Sequence, residues 1–334
     1  MSPISARQGR LRLVSGVFAA CAAALALGVS GPAYAAGPAA ASRPAPSLTA
    51  RASGRTVAGA VYGQSARATG GSAVGDFLKE HQSILAASHG AGAAPASAHG
   101  PAAAPKATQL HDWWGSFPAT NSGPGAMATQ SVSSTLRLSN PNDVLYAPTM
   151  TPANNSCIEV VTVHTTSTPQ IWAWDWCNAI APGAEVNVNS SFLADYTTTV
   201  NGRTAYTTKD VRTNAGSNTW TAYLWNYVTG AWDTLFTSSG TDQSGLTYGW
   251  DMFEFYSTVG SSGQVAICNN LASSGVTIES SSLQILSSSG TWSLAGSANS
   301  SWSPSANPNP SSYDCPNMKF NILANNYDWT VNVT

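Results

Sequence analysis

The sequence predicts an all-β domain, an antiparallel β-sandwich of jelly-roll or concanavalin-like form, over residues 108–334. Three observations point there. From Leu110 onward, short runs alternate apolar and polar residues, which sends side chains to opposite faces of a strand. Gly, Asn, Ser and Pro break these runs, and Asn201-Gly202 carries the signature of a tight hairpin turn. Once a short N-terminal leader is set aside, four cysteines remain, Cys157, Cys177, Cys268 and Cys315. An even count in an exported chain reads as two disulfides. Of the three possible pairings, Cys157–Cys177 and Cys268–Cys315 join sequence neighbours and are expected.

The leader comes first. Arg7, Arg10 and Arg12 precede an uncharged apolar stretch over 13–29, and Ala33-Tyr34-Ala35 offers a small-x-small cleavage pattern. Residues 1–35 therefore read as a signal peptide, which makes the expected location secreted, outside the cell. Residues 36–107 are rich in Ala, Gly, Pro and Ser. Such composition buries too little apolar surface to offset ordering entropy. This segment reads as a pro-segment or a linker.

Strands are expected over 135–139, 157–165, 170–177, 185–190, 195–200, 204–210, 219–227, 231–237, 249–257, 264–268, 276–286 and 318–323. A region of this length can bury a full core. No second long apolar run follows the leader, so no membrane span is expected.

The overall charge of −2 hides an asymmetry. Residues 36–107 carry Arg43, Arg51, Arg55, Arg67, Lys79 and Lys106 against Asp76 and Glu80, a net +4. Residues 108–334 carry five basic residues against fourteen acids, a net −9. The basic leader and the acidic domain should attract each other. Nucleic acid is an unfavourable partner for the domain. A polypeptide substrate or a glycan, met by a monomer, is the expected partner.

Elimination narrows the chemistry. His81, His89 and His99 lie in the leader, His111 lies at the domain edge, and only His164 falls in an expected strand. No G-x-S-x-G elbow accompanies it. H-E-x-x-H, G-x-G-x-x-G and P-loop patterns are missing, so neither metal nor cofactor is expected. If the domain is an enzyme, its acid and base are carboxylates.

Two glutamates stand out. In Gly249-Trp-Asp-Met-Phe-Glu-Phe-Tyr256, alternation puts Trp250, Met252, Glu254 and Tyr256 on one face. An acid among aromatics tends to hold its proton, which suits a general acid. In Cys157-Ile-Glu-Val-Val-Thr-Val163, Glu159 shares a face with Val161 and Val163, where a charge is costly unless paired or useful. Glu254 and Glu159 are the catalytic candidates; the competing reading of each is a solvated residue on a polar face. Trp172, Trp174 and Trp176 line one face of a further strand, as a core ridge or as a platform for sugar rings or peptide. With Trp250 and Tyr256 they are the candidate substrate-binding residues.

At these residues the chain resembles the glutamic peptidases, the group that includes the eqolisins and neprosin. Ile158-Glu159 is similar to the strand carrying the first catalytic residue of that group. Trp172-Ala-Trp-Asp-Trp176 is similar to the eqolisin strand Y-x-A-W-Y-E-W. Trp220-Thr-Ala-Tyr-Leu-Trp-Asn-Tyr227, followed by Gly230-Ala-Trp232 and Leu235-Phe236, is similar to a Trp-rich stretch of neprosin. Gly249-Trp250 to Glu254 falls where both groups carry their second glutamate. The resemblance spans about 132–257 and implies a secreted, acid-acting endopeptidase made with a pro-segment. One glutamate would activate water, while the other residue polarises the scissile carbonyl. The chain departs from the pattern: the neprosin W-G-G-E is missing, and Trp250 replaces the first acid of the eqolisin A-E-W-I-V-E. Asp251-Met-Phe-Glu254 also resembles the tail of the laminarinase-like E-x-D-x-x-E strand, with Gly249 at the nucleophile position. The competing functions are a carbohydrate-binding, lectin-like sandwich and a polysaccharide-active glycosidase or lyase.

Overall fold

The computed structural model describes residues 43–63, 109–119, 123–175, 182–238 and 244–334. Strands β1 (Ala52–Thr56) and β2 (Val61–Tyr62) lie in the segment read as a leader. There follow β3 (Gln109–Pro118), β4 (Gly125–Ser131), β5 (Val144–Thr151), β6 (Ile158–His164), β7 (Gln170–Asp175) and β8 (Ala184–Asn187). Helix α1 (Ser190–Tyr196) leads into β9 (Thr197–Val200), β10 (Arg203–Asn214), β11 (Thr219–Asn226), β12 (Ala231–Thr237) and β13 (Trp250–Thr258). Helix α2 (Ala266–Ser274), β14 (Ile278–Leu286), β15 (Trp292–Leu294), β16 (Ser300–Ser303), β17 (Met318–Ala324) and β18 (Asp328–Val333) complete the chain.

The strands form two sheets. Sheet 1 runs β1-β12-β11-β10-β4-β14-β18-β17, with β15 added to β14 and β9 to β10. Sheet 2 runs β16-β3-β13-β5-β6-β7-β8-β2. Apart from the parallel β1–β12 pair, every described ladder is antiparallel. The Asn201-Gly202 turn between β9 and β10 has positive φ at both residues (48° and 77°), as a type I′ hairpin requires. The expected all-β, two-sheet architecture is the observed one.

Alternation decides what each face of sheet 2 meets. Ile158 and Val160 on β6, Ile171 and Ala173 on β7, and Val186 on β8 pack with Tyr206, Trp220, Leu224 and Leu235 of sheet 1. Phe253 and Phe255 on β13, with Trp114 and Leu145, pack with Ile278, Trp329 and Val331. Some polar groups in this layer are paired across it. Thr162 meets the Tyr206 hydroxyl at 2.9 Å, and Asp251 takes hydrogen bonds from Gln130, Ser280 and Trp329. Burial raises the Asp251 carboxyl to about 6, against the pull of those three donors.

Two expected strands are different structures. Residues 264–268 open helix α2, which Gly275 ends at φ 63° in the left-handed region that glycine tolerates. Residues 135–139 are not a strand, yet Leu136 and Leu138 are buried in the inter-sheet core, so alternation there records burial without a ladder. Cys268 on α2 is bonded to Cys315, as expected. The Cys157–Cys177 pairing falls on Cys177, which lies outside the described residues, as does Trp176.

Candidate functional site

The opposite face of sheet 2, turned away from sheet 1, collects the candidates. Register places the Glu254 pair partners as Trp113 on β3 and Tyr146 on β5. Tyr256 sits opposite His111 and Val144, and Glu159 sits opposite Trp174. One apolar cluster joins Trp113, Tyr146, Val161, Val163, Trp172, Trp174, Trp250 and Tyr256 on this face. Trp172 and Trp174 are 1% and 0% exposed. Trp172 and Trp174 meet edge-on, with ring centroids 5.5 Å apart.

Glu254 is 2% exposed, and its Oε1 lies 2.8 Å from His111 Nε2. With Glu254 ionised, the imidazole N–H donates to it. The His111 ring stacks on Tyr256, centroids 4.0 Å apart and planes 6° apart, and Trp113 lies tilted 5.3 Å away. Tyr146 meets Tyr256 edge-on. This walled carboxylate–imidazole pair can hold or move a proton.

Glu159 is fully buried. Its Oε1 accepts the Trp250 indole N–H at 2.9 Å and also a hydrogen bond from the Thr149 hydroxyl. Glu185 on β8, opposite Trp172, is buried on the same face and lies 3.4 Å from the Gln170 amide.

Glu159 and Glu254 thus share a face, but at separate places on it. Glu159 is level with Trp250 through Thr151, whereas Glu254 is level with Val163 through Tyr146. That offset is four residues, ~13 Å along the strands, and two ladders, ~10 Å across them. Each glutamate therefore has its own immediate partners.

Sequence reasoning missed His111, Thr149, Tyr146 and Glu185. The signal for His111 was present: His111, Trp113, Gly115 and Phe117 alternate along β3. Gly249 has a steric explanation. A Cβ there would lie 2.2 Å from the Thr151 carbonyl oxygen, so no nucleophilic side chain fits the position. His164 faces the inter-sheet layer, where burial lowers it to about 4 and keeps it neutral. Among the described residues, no group of three or more His, Cys, Asp or Glu is placed to hold a metal ion. Among them, too, no helix is long and apolar enough to cross a membrane.

No family model matches the chain, and no curated protein matches it. Among solved structures, it is similar to scytalido-glutamic peptidase with a transition-state-analogue inhibitor, at 10% identity and TM-score 0.41. It is also similar to SCP-B, a member of the eqolisin family of peptidases in complex with the tripeptide Ala-Ile-His, at 12% identity and TM-score 0.35. Each match covers 68% of this chain and 100% of the other. The resemblance is weak and structural, and the architecture given above rests on strand order and register.

Proposed function

We propose that this chain is a secreted, carboxylate-dependent hydrolase acting on polypeptide, and more finely an acid-acting endopeptidase of glutamic type. The observation that carries the reading is the Glu254–His111 pair, 2.8 Å apart on an aromatic-lined face that also holds Glu159. In this reading Glu254 takes a proton from the attacking water. His111 orients that carboxylate and, as an imidazolium in acid, stabilises the developing oxyanion. Glu159, fixed by Trp250 and Thr149, offers a hydrogen-bond acceptor to substrate further along the face. Trp172, Trp174, Trp250 and Tyr256 supply apolar contact for side chains of the substrate, and no cofactor is invoked. Both glutamates are closed from solvent in the full chain, which fits a precursor that opens when its leader is lost.

The test is cleavage of a denatured protein by the purified, leader-free product from pH 2 to 7, beside Glu254→Gln and Glu159→Gln. Acid-optimal cleavage abolished by Glu254→Gln supports the reading. Cleavage that survives it removes Glu254 from the chemistry.

A non-catalytic binding role is favoured by one observation. Trp250 stands where the resembled eqolisin strand carries an acid, and its indole N–H is engaged by Glu159. Leader-free protein that cleaves nothing at any pH but is retained by an insoluble polysaccharide supports that role.

A further inference from the structure

The outer face of sheet 1, turned away from sheet 2, carries an aromatic floor. Trp225 on β11 lies opposite Trp232 on β12, and Lys209 on β10 lies opposite Tyr223 on β11 and Met127 on β4. Lys209 Nζ stands 4.2 Å from the Trp232 ring centroid and 5.4 Å from that of Tyr223. Burial lowers its amine to about 8. Trp225 and Trp232 are nonetheless 1% and 0% exposed, because the first described stretch of chain is seated on them.

The manner of seating is informative. Trp225 donates its indole N–H to the Pro44 carbonyl at 3.1 Å, and Trp232 donates to the Ser47 carbonyl at 2.8 Å. Pro44 lies against the Gly230 turn, and Leu48 and Ala50 pack on the floor. Arg43 donates to the carbonyls of Ala194 and Thr197 at the end of α1. The two tryptophan contacts read main-chain carbonyls three residues apart, and those carbonyls belong to the run Arg43-Pro-Ala-Pro-Ser47. Proline fixes φ near −65° and keeps the residue before it extended, so this run presents its carbonyls at little entropic cost. An aromatic floor with indole donors is the general chemistry by which such segments are recognised. The segment is anchored independently further on, where β1 pairs with β12 and Val57 enters the inter-sheet core. The contacts over residues 43–50 are therefore additional to what holds the N-terminal segment in the fold.

We infer that the outer face of sheet 1 is a docking groove for an extended, proline-containing polypeptide, and that residues 43–50 are its built-in occupant. A tethered occupant competes at an effective concentration on the order of millimolar, so a second chain enters only when this stretch is weakened or removed.

The experiment uses the full chain and a fluorescent peptide of residues 42–50, read by anisotropy. Arg43→Ala with Leu48→Asp weakens the seated segment without touching the floor. That variant should bind the peptide saturably, whereas the unmodified chain binds it at least about tenfold more weakly. Adding Trp225→Phe, which keeps a ring and removes the donor, should weaken binding about tenfold. A peptide with alanine at both proline positions should bind about fivefold more weakly. If the weakened variant does not fold, hydrogen exchange on the unmodified chain decides: millimolar peptide should speed exchange of the amides of residues 43–50. A folded variant that binds no peptide overturns the inference. So does equal binding of the alanine peptide, or exchange that the peptide leaves unchanged.

Discussion

Trp250 on β13 gives its indole N–H to Oε1 of Glu159 on β6 at 2.9 Å, so a fully buried glutamate is held from a strand two ladders away. Trp250→Phe keeps most of the ring volume and removes the donor. Taking a donor from a buried acceptor costs about 1–3 kcal/mol. Thermal unfolding should shift down by about 3–10 °C, at ~2–4 °C per kcal/mol for a domain of this size. An unchanged melting temperature would show that the N–H contributes nothing to Glu159.

The His111–Glu254 pair predicts coupling. His111→Leu leaves a buried carboxylate without its imidazole and should destabilise by about 2–4 kcal/mol at neutral pH. Glu254→Gln should cost less, because its amide oxygen still accepts from Nε2–H. A double-mutant cycle measured by denaturant unfolding should give a coupling of about 1–3 kcal/mol. Strict additivity would mean that the 2.8 Å contact carries no energy.

Stability should depend on pH through groups buried between the sheets. Asp251 is raised to about 6, so its contribution is complete below pH 4 and is lost as pH rises through 6. That amounts to about 3 kcal/mol. His164, lowered to about 4, works in the opposite sense: its contribution is complete above pH 6.5 and is lost as pH falls towards 4. Across pH 4–6.5 these two nearly cancel. Asp210 is left over, fully buried beside Ala126 and Ala222, with neither oxygen hydrogen-bonded among the described residues. Burial, and then the neighbouring Glu159, push its carboxyl well up. Melting temperature should therefore fall as pH rises into the neutral range. Asp210→Asn should raise it at pH 7 and leave it unchanged at pH 3. An equal shift at both pH values would exclude proton linkage at this residue.

Cys268–Cys315 closes a loop with a sequence separation of 47 and ties α2 to the segment before β17. The chain-entropy relation gives about 4 kcal/mol for a loop of that length. Cys268→Ser with Cys315→Ser should lower unfolding free energy by about 2–5 kcal/mol in denaturant titration. A loss below about 1 kcal/mol would show that packing of Ile267 and Leu271 holds α2 unaided.

Period-two alternation carried β6, β7, β8 and β13 of sheet 2 and β9 to β12, β14 and β17 of sheet 1, whereas β3, β4, β5 and β18 were not among the expected strands. It failed at 264–268, where Val265, Ile267 and Cys268 are buried in a helical entry that a five-residue window cannot distinguish from a strand. Alternation also put Glu159 and Glu254 on one face. It could not set their spacing, which depends on how β13, β5 and β6 pair, including the register shift in β5 between Tyr146 and Thr149. His111 became a neighbour of Glu254 only through the β3–β13 ladder, a contact between residues far apart in sequence.

β1 covers the β12 margin of sheet 1, and β2 covers the β8 margin of sheet 2. One short segment thus shields a row of unpaired amides and carbonyls on each sheet. A cut after Tyr62, like any cut within 64–108, leaves both guards on one separate peptide, and only the release of that peptide uncovers two sticky margins at once. Self-association of the processed protein would then report whether that peptide had left.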